Sequence, residues 1–235
     1  IKQAIQVYPM YENAIRYARK ESVPEHLKRV SELWARFNEV AIQNPNAWIQ
    51  DAFTAEEIRT PTDTNRRISF PYTKMMNANM AVDMGAAIIL CSVEKARELR
   101  IPEEKWVYPL AGVQGYDHFS ASVRDNFHSS PGLGLVGKRV MELAKVSPEE
   151  VDYVDLYSCF PSAVQIAARE LGFPEERQLT VTGGLTFGGG PLNNYVMHAV
   201  ARTVELLRKA PRKKAFVSAN GGNLYNCLLY TSDAA

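Results

Sequence analysis

Along the chain, apolar residues first recur at helical spacing and later gather into short unbroken runs. Tyr8 to Arg19 and Glu25 to Val40 carry them three or four apart, with Leu27, Val30, Leu33, Trp34, Phe37 and Val40 on one stripe, which predicts two helices. Pro24 suits the first turn of the second helix and Ser22 is its capping candidate. Thr54 followed by Glu57 predicts a further short helix start, and Asn44-Pro45-Asn46 a turn. The Tyr, Trp and Phe side chains of this stretch read as packing residues. Residues 61–72 read as a connector in which Arg66 and Arg67 face solvent.

Beyond Pro71 the texture changes. Met84 to Cys91, Trp106 to Val113, Val151 to Leu156, Gln178 to Val181 and Ala215 to Ala219 are short runs of the kind that form buried strands. Between them lie helical patterns over Val93 to Leu99 (capped by Ser92), Gly137 to Lys145, Phe160 to Leu171 and Tyr195 to Lys209. This alternation predicts a layered α/β fold. Its mixed sheet would use roughly 105–113, 151–157, 178–182 and 214–219. His118 and His128 fall in a polar, irregular stretch and read as solvent-facing.

Three predicted strand ends carry unusual residues. The most distinctive is Thr182 to Asn194, in which Gly183, Gly184, Gly188, Gly189 and Gly190 precede Pro191, Asn193 and Asn194. Glycines there permit tight turns and close backbone approach, and the following helix, with Asn193 or Asn194 as N-cap, would turn its positive end to the loop. Such a loop offers an oxyanion site; a ligand-free strand–helix turn is the plain alternative. The spacing fits neither a P-loop nor a dinucleotide loop. The second end is Tyr157-Ser158-Cys159, where a cysteine before a helix would have a lowered pKa and act as a thiolate, or simply pack as a small apolar residue. The third is Asn220-Gly221-Gly222. Ligands in layered α/β folds gather at such ends.

Composition narrows the partners. Across 235 residues the net charge is +1, which gives no field for nucleic acid or an anionic membrane. No apolar run approaches the roughly 20 residues of a membrane span. Cys91, Cys159 and Cys227 stand far apart in no metal spacing, so no metal site is expected and a reduced, cytoplasmic setting is. The chain opens on Ile1 inside a helical pattern, as expected of one part of a longer protein.

Taken in order, these stretches resemble the thiolase superfamily, and especially its acetyl-CoA acetyltransferase-like branch near the sterol-carrier-protein thiolases. The likeness covers about residues 70–222. Asn77-Ala-Asn79-Met-Ala-Val-Asp83-Met-Gly85-Ala-Ala is similar to the family's "N-x-S-x-x-x-D-G-A-A"; Tyr157-Ser158-Cys159-Phe160 falls where thiolases have "N-E-A-F" or "H-D-C-F". Gly183-Gly184 with Gly188-Gly189-Gly190-Pro191-Leu192 resembles "G-G … G-H-P-L-G", and Asn220-Gly221-Gly222 lies near "C-x-G-x-G". The resemblance implies the C-terminal half of a thiolase-type α-β-α sandwich. Residues 1–70 would be a helical cap, 71–100 the end of the N-terminal half, 101–222 the C-terminal half and 223–235 an atypical tail, unlike the family's last strands.

By the same resemblance, the function is that of an acyl-CoA acyltransferase in lipid metabolism, making or breaking a carbon–carbon bond beside a thioester. Coenzyme A thioester would be substrate, with no permanent cofactor, in a homodimer or beside a partner subunit. The family's His and Cys positions are Gly190 and Ala219 here, and its nucleophilic Cys would lie upstream. Tyr157, Cys159 and His198 are therefore the candidate catalytic residues. Gly188, Gly189, Gly190, Asn193, Asn194, Asn220 and Gly221 are the candidate acyl-CoA and oxyanion residues. The alternative is a non-catalytic acyl-CoA-binding subunit that works with a competent partner.

Overall fold

The computed structural model of the chain describes residues 3–222 with their side chains and 226–234 by backbone course. Two helices open it, α1 (Ala4–Ala18) and α2 (Val23–Gln43). Their boundary is local chemistry. Ser22 caps α2, its backbone N–H donating to Glu25 Oε2 at 2.8 Å while the Glu25 amide returns to Ser22 Oγ. Along α2, His26, Val30, Leu33, Trp34, Phe37 and Ala41 are buried at the three-and-four spacing of one helix face. Thr54 and Glu57 make the same reciprocal cap on α3 (Ala55–Arg59). A two-stranded ribbon, β1 (Arg67–Ser69) with β2 (Tyr72–Thr73), follows this part, expected to be a helical cap over 1–70.

The second part is layered. After α4 (Val93–Glu98), capped by Ser92, come β3 (Val107–Tyr116), α5 (Pro131–Ala144), β4 (Tyr153–Asp155), α6 (Pro161–Leu171), α7 (Tyr195–Lys209), β5 (Lys214–Gly221) and β6 (Asn226–Ala234). One sheet runs in the order β3-β6-β5-β4, parallel only between β4 and β5, where Val154 pairs Phe216. Alternation along β5 assigns the faces. Phe216 joins the main core with α5 and α6, whereas Ala215 and Val217 pack towards α7 with Leu207 and Ala199. The expected sharing of one sheet by 151–156 and 215–219 is observed, and so is the layered α/β class.

Three expectations are corrected. Met84 to Cys91 is extended but forms no ladder, and Ile89 and Leu90 are 92% and 75% exposed. An apolar run becomes a strand only beside a partner backbone, and none lies alongside among the described residues. Gln178 to Thr182 is not a strand either, although the Leu156 amide reaches the Leu179 carbonyl at 2.9 Å. Its amides turn to side chains: Val181 and Thr182 donate to Asp155 Oδ2. The expected atypical tail, finally, contributes β6, an inner strand between β3 and β5. The side chains of 223–235, Cys227 among them, lie outside the described part.

Candidate functional site

Cys159 sits between β4 and α6, two residues before Pro161 opens the helix, and the Ala78 amide caps its carbonyl. Near its sulfur the chain brings two neutral groups, the Tyr8 hydroxyl and the Asn220 amide. The Tyr8 hydroxyl, reaching in from α1, shares the Asn220 amide with the thiol and favours its thiolate form. Asn220, near the end of β5, places Nδ2 at 3.1 Å from the Tyr8 oxygen and 4.0 Å from Sγ. The Tyr8 hydroxyl itself donates to the Gly222 carbonyl at 3.2 Å. Tyr8 is fixed by stacking on Phe160, ring centroids 4.4 Å apart. Asn220 Oδ1 is buried and makes no hydrogen bond.

This environment corrects the expected thiolate. Burial pushes the Cys159 thiol up to about 12, against the weaker opposing effects of Tyr8, nearby amides and Asn220. A start-of-helix position lowers a thiol's pKa only where solvent or a cation supports the charge, and here aromatic rings surround it. Burial likewise raises the Tyr157 phenol, with the Cys159 sulfur adding to the rise. Tyr157 stands edge-on to Tyr195 at 5.5 Å and lines an apolar cleft of about 600 Å³ with Asn193, Asn194, Asn220 and Gly221. Asn194 is the N-cap of α7, but its side chain makes no capping bond.

The glycine loop has a different role from the one its sequence suggests. Gly183 and Gly184 amides go to Thr180 Oγ1, and Gly184 also reaches Thr182 Oγ1. The Leu185 amide goes to Ser158 Oγ, Gly188 to the Gly183 carbonyl and Gly190 to the Asn79 carbonyl at 2.8 Å. These donors are taken up by the chain's own acceptors, so the Gly188 and Gly190 amides do not form the expected oxyanion site. The loop is instead shaped to receive the cap. Gly183 has φ of 96°, and a Cβ there would stand 2.5 Å from Ala41 Cβ on α2. Trp48 and Ile49 amides bind the Gly188 and Phe187 carbonyls, and Asn44 Nδ2 the Thr182 carbonyl.

His198 does not join Cys159. It belongs to an α7 stripe with Tyr195, Arg202 and Glu205 that lines a separate polar cleft of about 460 Å³, together with Gly188 and Gly189. Tyr157 faces the stripe of Val196, Met197, Val200 and Val204. Burial lowers the His198 pKa, and its Nε2 is buried without a partner. The candidate catalytic residues His198 and Cys159 therefore fall in different places. The polar stripe at 198, 202 and 205 was readable in the sequence as a separate helix face. Tyr8 was not identified as a site residue: helical periodicity says that it is buried, not against what. Among the described residues no group of three His, Cys, Asp or Glu is placed to hold a metal, and no helix is long and apolar enough to cross a membrane.

Comparison with known proteins places this geometry. No family profile matches the chain. A monomeric SCP2-thiolase-like protein type 1 from Mycobacterium smegmatis superimposes with a TM-score of 0.91 over 99% of this chain at 33% identity. This chain belongs to the thiolase superfamily, in its SCP2-thiolase-like branch. An acetyl-CoA acetyltransferase from Methanothermobacter thermautotrophicus is 24% identical over 206 residues, 80% of this thiolase-like chain. The chain spans about half the length of these two, 52% of each. An Ltp2-ChsH2(DUF35) aldolase shares the fold alone, with a TM-score of 0.73 over 99% of the chain at 18% identity.

Proposed function

We propose that the chain forms part of a thiolase-type acyl-CoA acyltransferase, which makes or breaks a carbon–carbon bond beside a thioester. The observation that carries this reading is the meeting of Cys159, Tyr8 and Asn220 at the α6 start, in a chain that superimposes throughout on an SCP2-thiolase-like protein. A thioester carbonyl gains negative charge as its carbon is attacked, and neutral donors held in a dry site stabilise that charge. The Cys159 thiol, the Tyr8 hydroxyl and the Asn220 amide are such donors. With the Gly188 and Gly190 amides engaged elsewhere, the oxyanion role passes to these side chains. The acyl-accepting thiolate would come from outside these 235 residues, since Cys159 keeps its proton. The substrates are a coenzyme A thioester of lipid metabolism and coenzyme A itself, and the setting is the cytoplasm.

The test uses the full-length protein with 3-ketoacyl-CoA and coenzyme A, following release of two shorter thioesters. Turnover is expected, and Tyr8→Phe should lower it by about a hundredfold. Absence of turnover and of an acyl-enzyme in the mass spectrum would overturn the reading. It would leave a second one, a thioester-binding subunit beside a competent partner. Gly190, Ala219 and the protonated Cys159 favour that alternative. The aldolase neighbour is named as a complex with a DUF35 protein, which supports a partner subunit for this chain.

A further inference from the structure

The densest polar cluster of the cap lies one helical turn from the candidate site. Glu12 follows Tyr8 by four residues on α1, so the two share a face, and both are buried. Glu12 Oε1 receives His26 Nε2 and Gln165 Nε2, each at 2.7 Å, and Oε2 receives the Tyr72 hydroxyl at 2.7 Å. His26 Nδ1 stands 2.6 Å from Glu21 Oε2. Arg29 Nη2 stands 3.2 Å from the same Nδ1. Arg29 binds Glu21 at 2.8 Å, Glu175 at 2.7 Å and Gln165 Oε1 at 3.0 Å, and Arg19 binds Glu21 and Glu175. The carboxylates of Glu12, Glu21 and Glu175 thus face the guanidiniums of Arg19 and Arg29 and the His26 ring.

Burying such charges is a poor way to gain stability, because apolar residues of the same volume serve as well. What the cluster supplies is register. It ties α1 to α2, to β2 through Tyr72, and to α6 through Gln165. Ser162 Oγ meets both the Tyr72 hydroxyl at 2.8 Å and the Tyr8 carbonyl at 3.4 Å. A rotation or slide of α1 would carry Tyr8 off the thiol. We propose that the buried Glu12–His26–Glu21 cluster is a positioning device that holds α1 against α6 so that the Tyr8 hydroxyl meets Cys159. Glu12 and His26 act through Tyr8 and touch no substrate. The inference rests on the reading above only in taking Cys159, Tyr8 and Asn220 as the reacting centre.

The test reads Cys159 alkylation by iodoacetamide in the full-length protein, resolved by peptide mass spectrometry at one alkaline pH. Wild type, Tyr8→Phe, Glu12→Gln and the double variant are compared. The Tyr8 hydroxyl beside Asn220 favours the Cys159 thiolate, so Tyr8→Phe is expected to slow Cys159 alkylation by roughly threefold or more. Glu12→Gln should slow it in the wild-type background and add nothing in the Tyr8→Phe background. Equal effects in both backgrounds, or none in either, would overturn the proposal, because a merely structural glutamate is indifferent to the Tyr8 hydroxyl. Should Glu12→Gln fail to fold, His26→Gln, which leaves the carboxylate in place, is judged by the same comparison. The readout needs no substrate. Missing turnover therefore leaves it intact, and intact turnover without coupling counts against the positioning role alone.

Discussion

The hydroxyl of Tyr195, in the first turn of α7, donates to Oδ1 of Asp155 on β4 across 2.9 Å, with both residues buried. Oδ2 of the same carboxylate gathers Thr180 Oγ1, Thr182 Oγ1 and the Val181 amide between 2.9 and 3.1 Å. One carboxylate thus joins a strand, the segment before the glycine loop and the helix after it. Removing it in Asp155→Ala orphans several buried donors, and a loss of about 3 kcal/mol or more is expected. Burial raises the Asp155 pKa despite its donors, so its protonated form is favoured by folding. The stability tied to that proton is complete below 3.8, the unfolded value, and is lost as pH rises through the higher folded value. Asp155→Asn should remove this slope, which melting curves across acid pH would record; an unchanged slope would mean another group is responsible.

Cys159 should be a sluggish thiol. With its pKa pushed up to about 12, alkylation near neutral pH is expected to run hundreds to a thousand times slower than for an ordinary cysteine, and to rise about tenfold per pH unit. Cys91, which is exposed, is the internal reference. Comparable labelling of the two at neutral pH would show that the site opens to solvent.

Neighbouring loop glycines should respond differently to a methyl group. At Gly189 φ is 107° and a Cβ would lie 2.4 Å from Met84 Sδ, so Gly189→Ala is expected to cost about 1–3 kcal/mol. Gly190 has no positive φ, and its nearest neighbour would be the Asn79 carbonyl at 3.2 Å. Gly190→Ala should therefore stay within about 1 kcal/mol of wild type. Melting temperatures of the two variants decide the order.

Glu21 should make the cap acid-sensitive. Burial alone would raise its pKa, but hydrogen bonds from Arg29, Arg19 and His26 outweigh it and bring it down to about 2. Its stabilisation is therefore present above 4.5 and fades as pH falls towards 2. Glu21→Gln is expected to lose about 1–3 kcal/mol at neutral pH and little at the acid end of that window. Denaturant titrations at both ends test this, and an equal loss at each would refute the ionic origin.

What the sequence disclosed was whatever nearest neighbours settle. Ser22 with Glu25, and Thr54 with Glu57, announce their helices because each cap closes within one turn. That 153–155 and 215–217 share one sheet followed from two short apolar runs in a strand–helix rhythm. The misses are all decisions taken at a distance. Whether Gly85 to Leu90 is a strand depends on a partner backbone, and whether 178–182 is one depends on the Asp155 carboxylate. The glycine-rich loop carried the right signal, close approach, but its neighbour is helix α2 and not a ligand. Cys159 had the right position for a thiolate and the wrong surroundings, and those surroundings are set by Tyr8, far away along the chain.

The contact between Ala41 and Gly183 has an evolutionary consequence. With no room for a methyl group at 183 while α2 passes this close, the two positions form one heritable unit. Natural variants that enlarge residue 41 should be rare wherever 183 stays glycine. Lineages that change one of them should show a compensating shift of the helix, or a change at the other. A record of substitutions at these two sites would then report how tightly the cap has been kept on the layered body as sequences diverged.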